Sequence, residues 1–418
     1  MNLKMTRSER NWVLYDVGNS AFTMLIATIM PIYFNYLAEN AGLSSVEYLA
    51  YWGYAASSAT FIVAILGPVF GTLADTKGYK KPLFLLALAI GSIGCISLGF
   101  ARQWLIFLIV YIIAKVGYSG SLIIYDSMLS DVTSGDRMDL ISSNGYAWGY
   151  IGSCIPFIVS LLIVLGADKL GLSMVTAMAI AFAITAAWWL LMTVPLLKSY
   201  RQKYYVEKRA RAIRESFSRI GRTFANIKNE KRIFIFLLAF FFYIDGVYTI
   251  IDMATAYGAA LGLDTTGLLL ALLLTQIVAF PCCIIFGVLA KKYSAASLIT
   301  ICIAAYLGIA VFAMFLTTQT QFWILAVLVG MFQGGVQALS RSYFTKIIPA
   351  EQSGEYFGLL DICGKGASFV GTAIVSITSQ LTGDISKGVG MIAVLFIIGL
   401  FLFRYAVKLN AGAVEKQL

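Results

Sequence analysis

What constrains this chain most is a succession of apolar runs of about twenty residues or more, separated by short polar turns. A helix rising about 1.5 Å per residue needs roughly 20 residues to match the ~30 Å hydrocarbon core of a bilayer. Twelve such runs are read, at approximately 11–37, 47–73, 83–101, 104–129, 140–166, 172–196, 233–258, 265–290, 295–316, 321–345, 353–381 and 386–408. Composition agrees. Of 418 residues, 60% are hydrophobic and 12% charged, and mean hydropathy is +0.83, more apolar surface than one water-soluble core could bury. The expectation is an all-α membrane protein with twelve transmembrane helices.

The start, "MNLKMTRSERNW", is basic and leads into apolar sequence as a signal peptide does. The apolar run that follows is too long and lacks a small-residue cleavage site, so it is read as the first span. With the N-terminus inside, 25 of the 31 Lys and Arg face the cytoplasm. Arg102, Lys169 and Lys387 then lie outside, and Lys115, Arg341 and Lys365 fall within spans. Positive charge collects on the cytoplasmic side, so both termini are expected there.

Three regions are expected: a six-helix bundle over 1–197, a basic amphipathic linker over 198–232 and a second six-helix bundle over 233–418. In the linker, Ile213, Phe217, Ile220, Phe224 and Ile227 recur at helical spacing among basic residues, which predicts a surface helix on the inner leaflet. Recognition of an anionic lipid is the narrower alternative. The halves echo each other: "GTLADTKGYKKP" (71–82) leaves the second span and "GVLAKKYSAAS" (287–297) the eighth. Repeats at matching places indicate duplication.

Several chemistries are disfavoured. Histidine is absent, and the six cysteines lie in apolar stretches without C-x-x-C spacing, so no zinc site is expected. No G-x-x-x-x-G-K-[ST] occurs to cradle a nucleotide phosphate, which leaves a gradient as the energy source. No cofactor and no nucleic-acid partner are expected. An intramembrane aspartyl protease would pair a Tyr-Asp, as at Tyr15-Asp16 or Tyr125-Asp126, with a second Asp in G-x-G-D; "LTGD" (381–384) lies at a loop and lacks the first glycine. The chain is therefore read as not an enzyme.

Charges inside spans cost about 2.5–3.5 kcal/mol each on the milder scale and so face a cavity or a partner. Counting from the span ends, Asp245, Lys115 and Lys365 fall near mid-depth, whereas Asp252 and Asp126 fall near an interface. Tyr111, Lys115, Tyr118 and Tyr125 form one stripe on the fourth span, either packing or the wall of a cavity. Asp361 and Lys365 are four apart with the acid first, the favoured order for a helical ion pair, which either simply neutralises itself or is broken by a substrate or proton to shift the balance between states. Gln333, Gln337 and Arg341 share a face of the tenth span; Arg341 is either a cytoplasmic gate partner or an anchor reaching for the interface. Asn19 and Gln276 are further candidate lining residues, and Asp16 and Asp126 candidate gate residues. Lys115, Lys365 and Arg341 balance Asp245, Asp361 and Asp16, which suits a zwitterion. Without histidine, carboxylates are the groups left to carry a coupling proton, Asp245 first and Asp361 second; sodium is the alternative ion.

The 71–82 loop resembles the signature between the second and third spans of the major facilitator superfamily, through Gly71, Leu73, Ala74, Asp75, Gly78 and Lys80. Thr76 and Tyr79 stand where the family has basic residues. The resemblance implies two six-helix halves related by a pseudo-two-fold axis, and a conformational latch at Gly71, Asp75, Gly78 and Lys80. With Lys291 where the Asp would be, the second copy is expected to latch weakly. "WVLYDVGNSAF" (12–22), "YIDGVYTI" (243–250), "FQGGVQALSRSYFTKIIPAEQSGEYFGL" (332–359) and "GKGASFVG" (364–371) resemble the vacuole-effluxer branch, which includes fungal vacuolar amino-acid exporters and bacterial members. That resemblance implies a monomeric secondary transporter in a bacterial plasma membrane, moving a small polar or zwitterionic, amino-acid-like solute by alternating access. A lipid or lysolipid transporter, or a transporter-like receptor, would share the fold and open sideways to lipid.

Overall fold

A computed structural model of the chain describes residues 4–135, 137–207 and 230–414. With no water in a bilayer core, main-chain N–H and C=O groups must pair within each segment, and helices do this. The helices are α1 Arg7–Ala27, α2 Ile29–Asn40, α3 Ser45–Ala74, α4 Lys80–Leu98, α5 Trp104–Ser127, α6 Leu129–Val132, α7 Arg137–Leu165 and α8 Met174–Ser199. They continue with α9 Lys231–Ala260, α10 Thr265–Leu289, α11 Ala295–Met314, α12 Gln319–Ile347, α13 Ser353–Thr382, α14 Ile385–Gly390 and α15 Ile392–Val414. Helix starts are capped from the sequence: Thr6 with Glu9, Ser44 with Glu47 and Thr318 with Gln321 form reciprocal capping boxes that satisfy otherwise unpaired N–H groups.

Eleven helical stretches among the described residues are long and apolar enough to cross a membrane, with α1–α2, α5–α6 and α14–α15 each counted once. The expected twelfth, α13, is a 30-residue helix but is not among the eleven; it carries Glu355, Asp361 and Lys365. The first span is interrupted at Thr28 (φ −129°, ψ −69°), whose hydroxyl turns back to the Met24 carbonyl at 2.5 Å. Pro31, three residues on, has no N–H to give the Ala27 carbonyl.

The chain forms two compact units, one from the described parts of residues 1–133, 148–212 and 351–358, the other from those of 134–147, 213–350 and 359–418. The opening turns of α7 and α13 are thus grouped apart from the rest of their helices. In the first unit Trp12, Tyr15, Phe22, Tyr118, Tyr125 and Trp189 build an aromatic core, with Trp12 stacked on Tyr125 at 4.4 Å. In the second, α9 lies against α15 at two glycines: a Cβ on Gly246 would fall 2.6 Å from the Phe396 ring and one on Gly399 2.8 Å from Tyr243. Small residues allow this approach where lipid supplies no hydrophobic drive.

The linker departs from the surface-helix reading at its start. Residues 201–207 are non-helical, and Val206 makes a parallel bridge to Thr76. The periodic stripe Ile213, Phe217, Ile220, Phe224 and Ile227 lies outside the described residues.

Candidate functional site

Asp245 on α9 is fully buried. Its Oδ1 accepts from the Gly371 N–H at 2.9 Å and from the Thr249 hydroxyl at 3.2 Å. Its Oδ2 is buried with no hydrogen-bond partner among the described residues. Gly371 lies inside α13, where an N–H ordinarily serves the carbonyl four residues back; here it reaches a side chain on another helix. A Cβ at 371 would overlap Thr249 Oγ1 and come within 2.5 Å of Asp245 Oδ1, so only glycine permits the contact. Among the described residues, one oxygen therefore holds two donors and the other none. A buried anion with a bare oxygen is costly, and a proton or a cation on Oδ2 removes that cost.

A cavity of about 60 Å³ lies between α9, α10 and α12, walled by apolar residues with Thr275, Gln276 and Gln333 among them. Gln333 is buried, Gln276 and Gln337 are half-buried, and Asp361 on α13 is half-buried. Of Lys365 the structure gives a place on α13, and its side chain is not among the described ones. Arg341 is buried: Nε and Nη2 donate to the Ser142 hydroxyl and carbonyl, both at 2.9 Å, and the guanidinium covers the Tyr146 ring at 4.4 Å. One turn on, Lys346 pairs with Asp139 at 2.6 Å, and Asp139 also accepts from Ser342.

In the first unit the α5 stripe packs inward. Tyr111 lies on Trp52 with ring centres 4.8 Å apart, Tyr118 hydrogen-bonds Thr23 at 2.6 Å, and Tyr125 donates to Asp16 at 2.8 Å. Asn19 donates to Asp16 and to the Tyr15 carbonyl. Lys115 is half-exposed, its ammonium 5.6 Å from the Tyr118 ring, and Asp126 is half-buried in the last turn of α5. Tyr111, Tyr118, Asn19 and Asp16 are thus gathered around α1 and α5, separately from Asp245 and the glutamines on α9–α13.

The 71–82 loop carries a dense set of polar contacts among the described residues of the first unit. Asp75 is fully buried, and its two carboxylate oxygens accept from the N–H groups of Gly354 at 2.7 Å and Glu355 at 2.9 Å, capping α13. This places a negative charge at the positive end of a helix. Gly71 and Gly354 let the chains meet, since a Cβ on either would overlap the other's carbonyl oxygen. Gly78 turns the chain at φ +79°, which glycine adopts without strain. Lys80, fully buried, reaches Asp131 at 3.3 Å, Ser353 at 3.2 Å and the Ser127 carbonyl at 3.4 Å. Asp131 also accepts from the Tyr200 hydroxyl and from the N–H groups of Lys203 and Tyr204. Burial first, and then the Asp131 charge, hold the Tyr200 phenol protonated far above its ordinary range. Lys291, in the matching position of the second loop, is exposed. Asp131, Tyr200, Ser353 and Gly371 were not singled out by spacing; a lone acid at the end of the apolar fourth span was the available signal for Asp131.

Replacing Gly354 with alanine sets two effects against each other. Helix propensity favours alanine by about 1 kcal/mol, whereas the new Cβ overlaps the Gly71 carbonyl and sits 2.8 Å from Asp75 Oδ1. Overpacking costs about 1–3 kcal/mol and is expected to win, lowering the melting temperature in detergent. A rise would mean that the cap forms without close contact.

A family profile described as vacuole effluxer Atg22 like matches residues 5–136 and 130–417. The chain belongs to this vacuole effluxer family. Among Atg22-like relatives, it is 41% identical over 422 residues to an uncharacterised MFS-type transporter, YxiO, of Bacillus subtilis (strain 168), covering 100% of this chain and 99% of that protein. It is 28% identical over 307 residues to autophagy-related protein 22 of Cryptococcus neoformans, covering 68% of this chain and 52% of that protein, so it spans about half of that fungal relative. Among solved structures, the major facilitator superfamily transporter FucP in the outward conformation aligns with a TM-score of 0.68 at 13% identity, covering 96% of this chain and 97% of that one. A bacterial homologue of the iron transporter ferroportin in the outward-facing state gives 0.68 at 15%, covering 98% and 100%. The Atg22-like chain has the major facilitator fold and is a multi-pass membrane protein, an MFS-type transporter.

Proposed function

We propose that this transporter moves a small polar or zwitterionic, amino-acid-like solute by alternating access, coupled to protons through Asp245, with Asp361 as the second acid. The observation that carries the reading is the Asp245 carboxylate, with Oδ1 held by Gly371 and Thr249 and Oδ2 buried without a hydrogen-bond partner among the described residues. A proton on Oδ2 neutralises the group without moving Oδ1 from its donors, so uptake and release of H⁺ change the charge of the α9–α13 contact in place. As substrate-binding candidates we take Lys115, Asn19, Tyr111 and Tyr118 in the first unit and Gln276, Gln333, Gln337 and Lys365 in the second, since ammonium groups and amides are what a zwitterion needs. The Asp75 cap of α13 and the Lys80–Asp131 pair support a latch role for the 71–82 loop, with Arg341, Asp16 and Asp126 as gate residues. We place both termini in the cytoplasm, divide the chain into six-helix halves joined by the 198–232 linker, and take the monomer as the working unit; the basic linker and loops favour this orientation.

The test is uptake of a mixed amino-acid and peptide panel into proteoliposomes, with and without an imposed pH gradient. Accumulation of at least one panel member that requires the gradient is expected. If none moves or binds, the amino-acid reading fails; if one moves identically with and without the gradient, proton coupling fails and sodium is tried in its place.

A further inference from the structure

The segment leaving α8, "YRQKYYVE" (200–207), is bound to the 71–82 loop through Gln202, Val206 and Glu207 and to Asp131 through Tyr200, Lys203 and Tyr204. Val206 donates its N–H to the Asp75 carbonyl at 2.8 Å and accepts from the Lys77 N–H at 3.0 Å. The Gln202 amide accepts from the Gly78 N–H at 2.9 Å and donates to the Ala74 carbonyl at 3.1 Å. Tyr200 and the Lys203 and Tyr204 N–H groups converge on Asp131. Outside these, Lys77 pairs with Glu207 at 3.0 Å and lies 4.7 Å from the Tyr205 ring centre.

These bonds reach the start of α13 by two routes. Val206 and Gln202 hold the main chain of residues 74–78, and with it the Asp75 side chain that caps Gly354 and Glu355. Tyr200, Lys203 and Tyr204 hold Asp131, which with Ser127 fixes the Lys80 ammonium against Ser353. Asp131 is fully enclosed, and four donors share its charge, three of them from the 200–204 segment. A carboxylate so satisfied is rigid, and removing its donors leaves a buried anion under-solvated.

We propose that residues 200–207 form a strap whose Tyr200, Gln202 and Val206 are positioning residues for the Asp75 cap, so that displacing the linker from the 71–82 loop loosens the N-terminus of α13. The device links the linker to the latch without requiring any particular substrate or coupling ion. Lys203, Tyr204 and Val206 act through main-chain groups, so side-chain change at Lys203 and Tyr204 is tolerated, whereas Val206→Pro deletes a used N–H and Gln202→Ala deletes the side-chain amide bonds.

Hydrogen exchange of the purified full chain in lipid nanodiscs tests it, read at the amides of residues 203–207 and of Gly354 and Glu355. Gln202→Ala and Val206→Pro are expected to speed exchange at Gly354 and Glu355 by roughly five-fold, although neither substitution touches them, while α9 and α11 keep wild-type protection. Gln202→Glu, which retains the oxygen facing the Gly78 N–H, restores part of the protection. Glu207→Ala, an exposed change that leaves the fold intact, gives a smaller rise at the same two amides. Faster exchange confined to 203–207, with Gly354 and Glu355 at wild-type rates in all these variants, overturns the proposal.

Discussion

An Asp245→Asn transporter is expected to lose gradient-driven accumulation while still exchanging substrate across the membrane. Asparagine has the shape of aspartate, and its oxygen still accepts from the Gly371 N–H and the Thr249 hydroxyl, so the α9–α13 contact persists. The amide cannot take up and release a proton. For one H⁺ per substrate, a pH difference of one unit is worth about 1.4 kcal/mol, or about ten-fold accumulation, and the variant is expected to fall to none. Proteoliposomes loaded with labelled substrate separate the two readouts: counterflow measures exchange and an imposed pH gradient measures coupling. Retained pH-dependent uphill transport would remove Asp245 from the mechanism. Loss of counterflow together with coupling, in a protein that still melts normally, would reassign Asp245 to the contact itself. Gly371→Ala supplies the comparison, because it disturbs the contact by overlap with Thr249 while leaving the carboxylate.

The second large effect is on stability. Lys80→Met is expected to destabilise the protein by about 3–5 kcal/mol, because it strands the Asp131 anion where neither partner has any exposed side-chain surface. Pairing it with Asp131→Asn removes the charge while keeping an acceptor for the Lys203 and Tyr204 N–H groups, so the double variant is expected to recover part of the loss. Denaturation in detergent of the parent, Lys80→Met, Asp131→Asn and the double variant closes the thermodynamic cycle. A Lys80→Met protein as stable as the parent would mean that water reaches Asp131. A double variant no better than the single one would assign the cost to Lys80's bonds with Ser127 and Ser353.

The length and apolarity of the runs made the helical membrane fold legible, because a bilayer leaves the backbone few alternatives. Asp245 stood out for the same reason: a carboxylate in "FLLAFFFYIDGVYTII" is expensive wherever it points. Its partner did not stand out. Gly371 lies in a stretch already notable for resemblance, but a glycine that donates its N–H to another helix looks in sequence like one that eases packing. The strap was hidden more completely. "YRQKYYVE" reads as charged linker, and its hydrogen bonds to the backbone groups of residues 74–78, which every residue type carries, are made by one glutamine side chain and the Val206 main chain. Asp131 has a side-chain signal, yet its four donors come from three places in the sequence, Lys80, Tyr200 and the 203–204 turn, and their meeting depends on tertiary packing.

The interruption at Thr28 has a mechanical meaning. Bending a continuous helix in hydrocarbon breaks ladder bonds that nothing nearby can replace, so an unbroken span resists flexure along its length. Between Ala27 and Pro31 that bond was never available, and the Thr28 hydroxyl already satisfies the Met24 carbonyl below the joint. The twelve-residue α2 is therefore the pliant end of a stiff rod, held in place by side-chain packing and by two tyrosine hydroxyls, Tyr33 on the Ala101 carbonyl and Tyr48 on the Pro31 carbonyl.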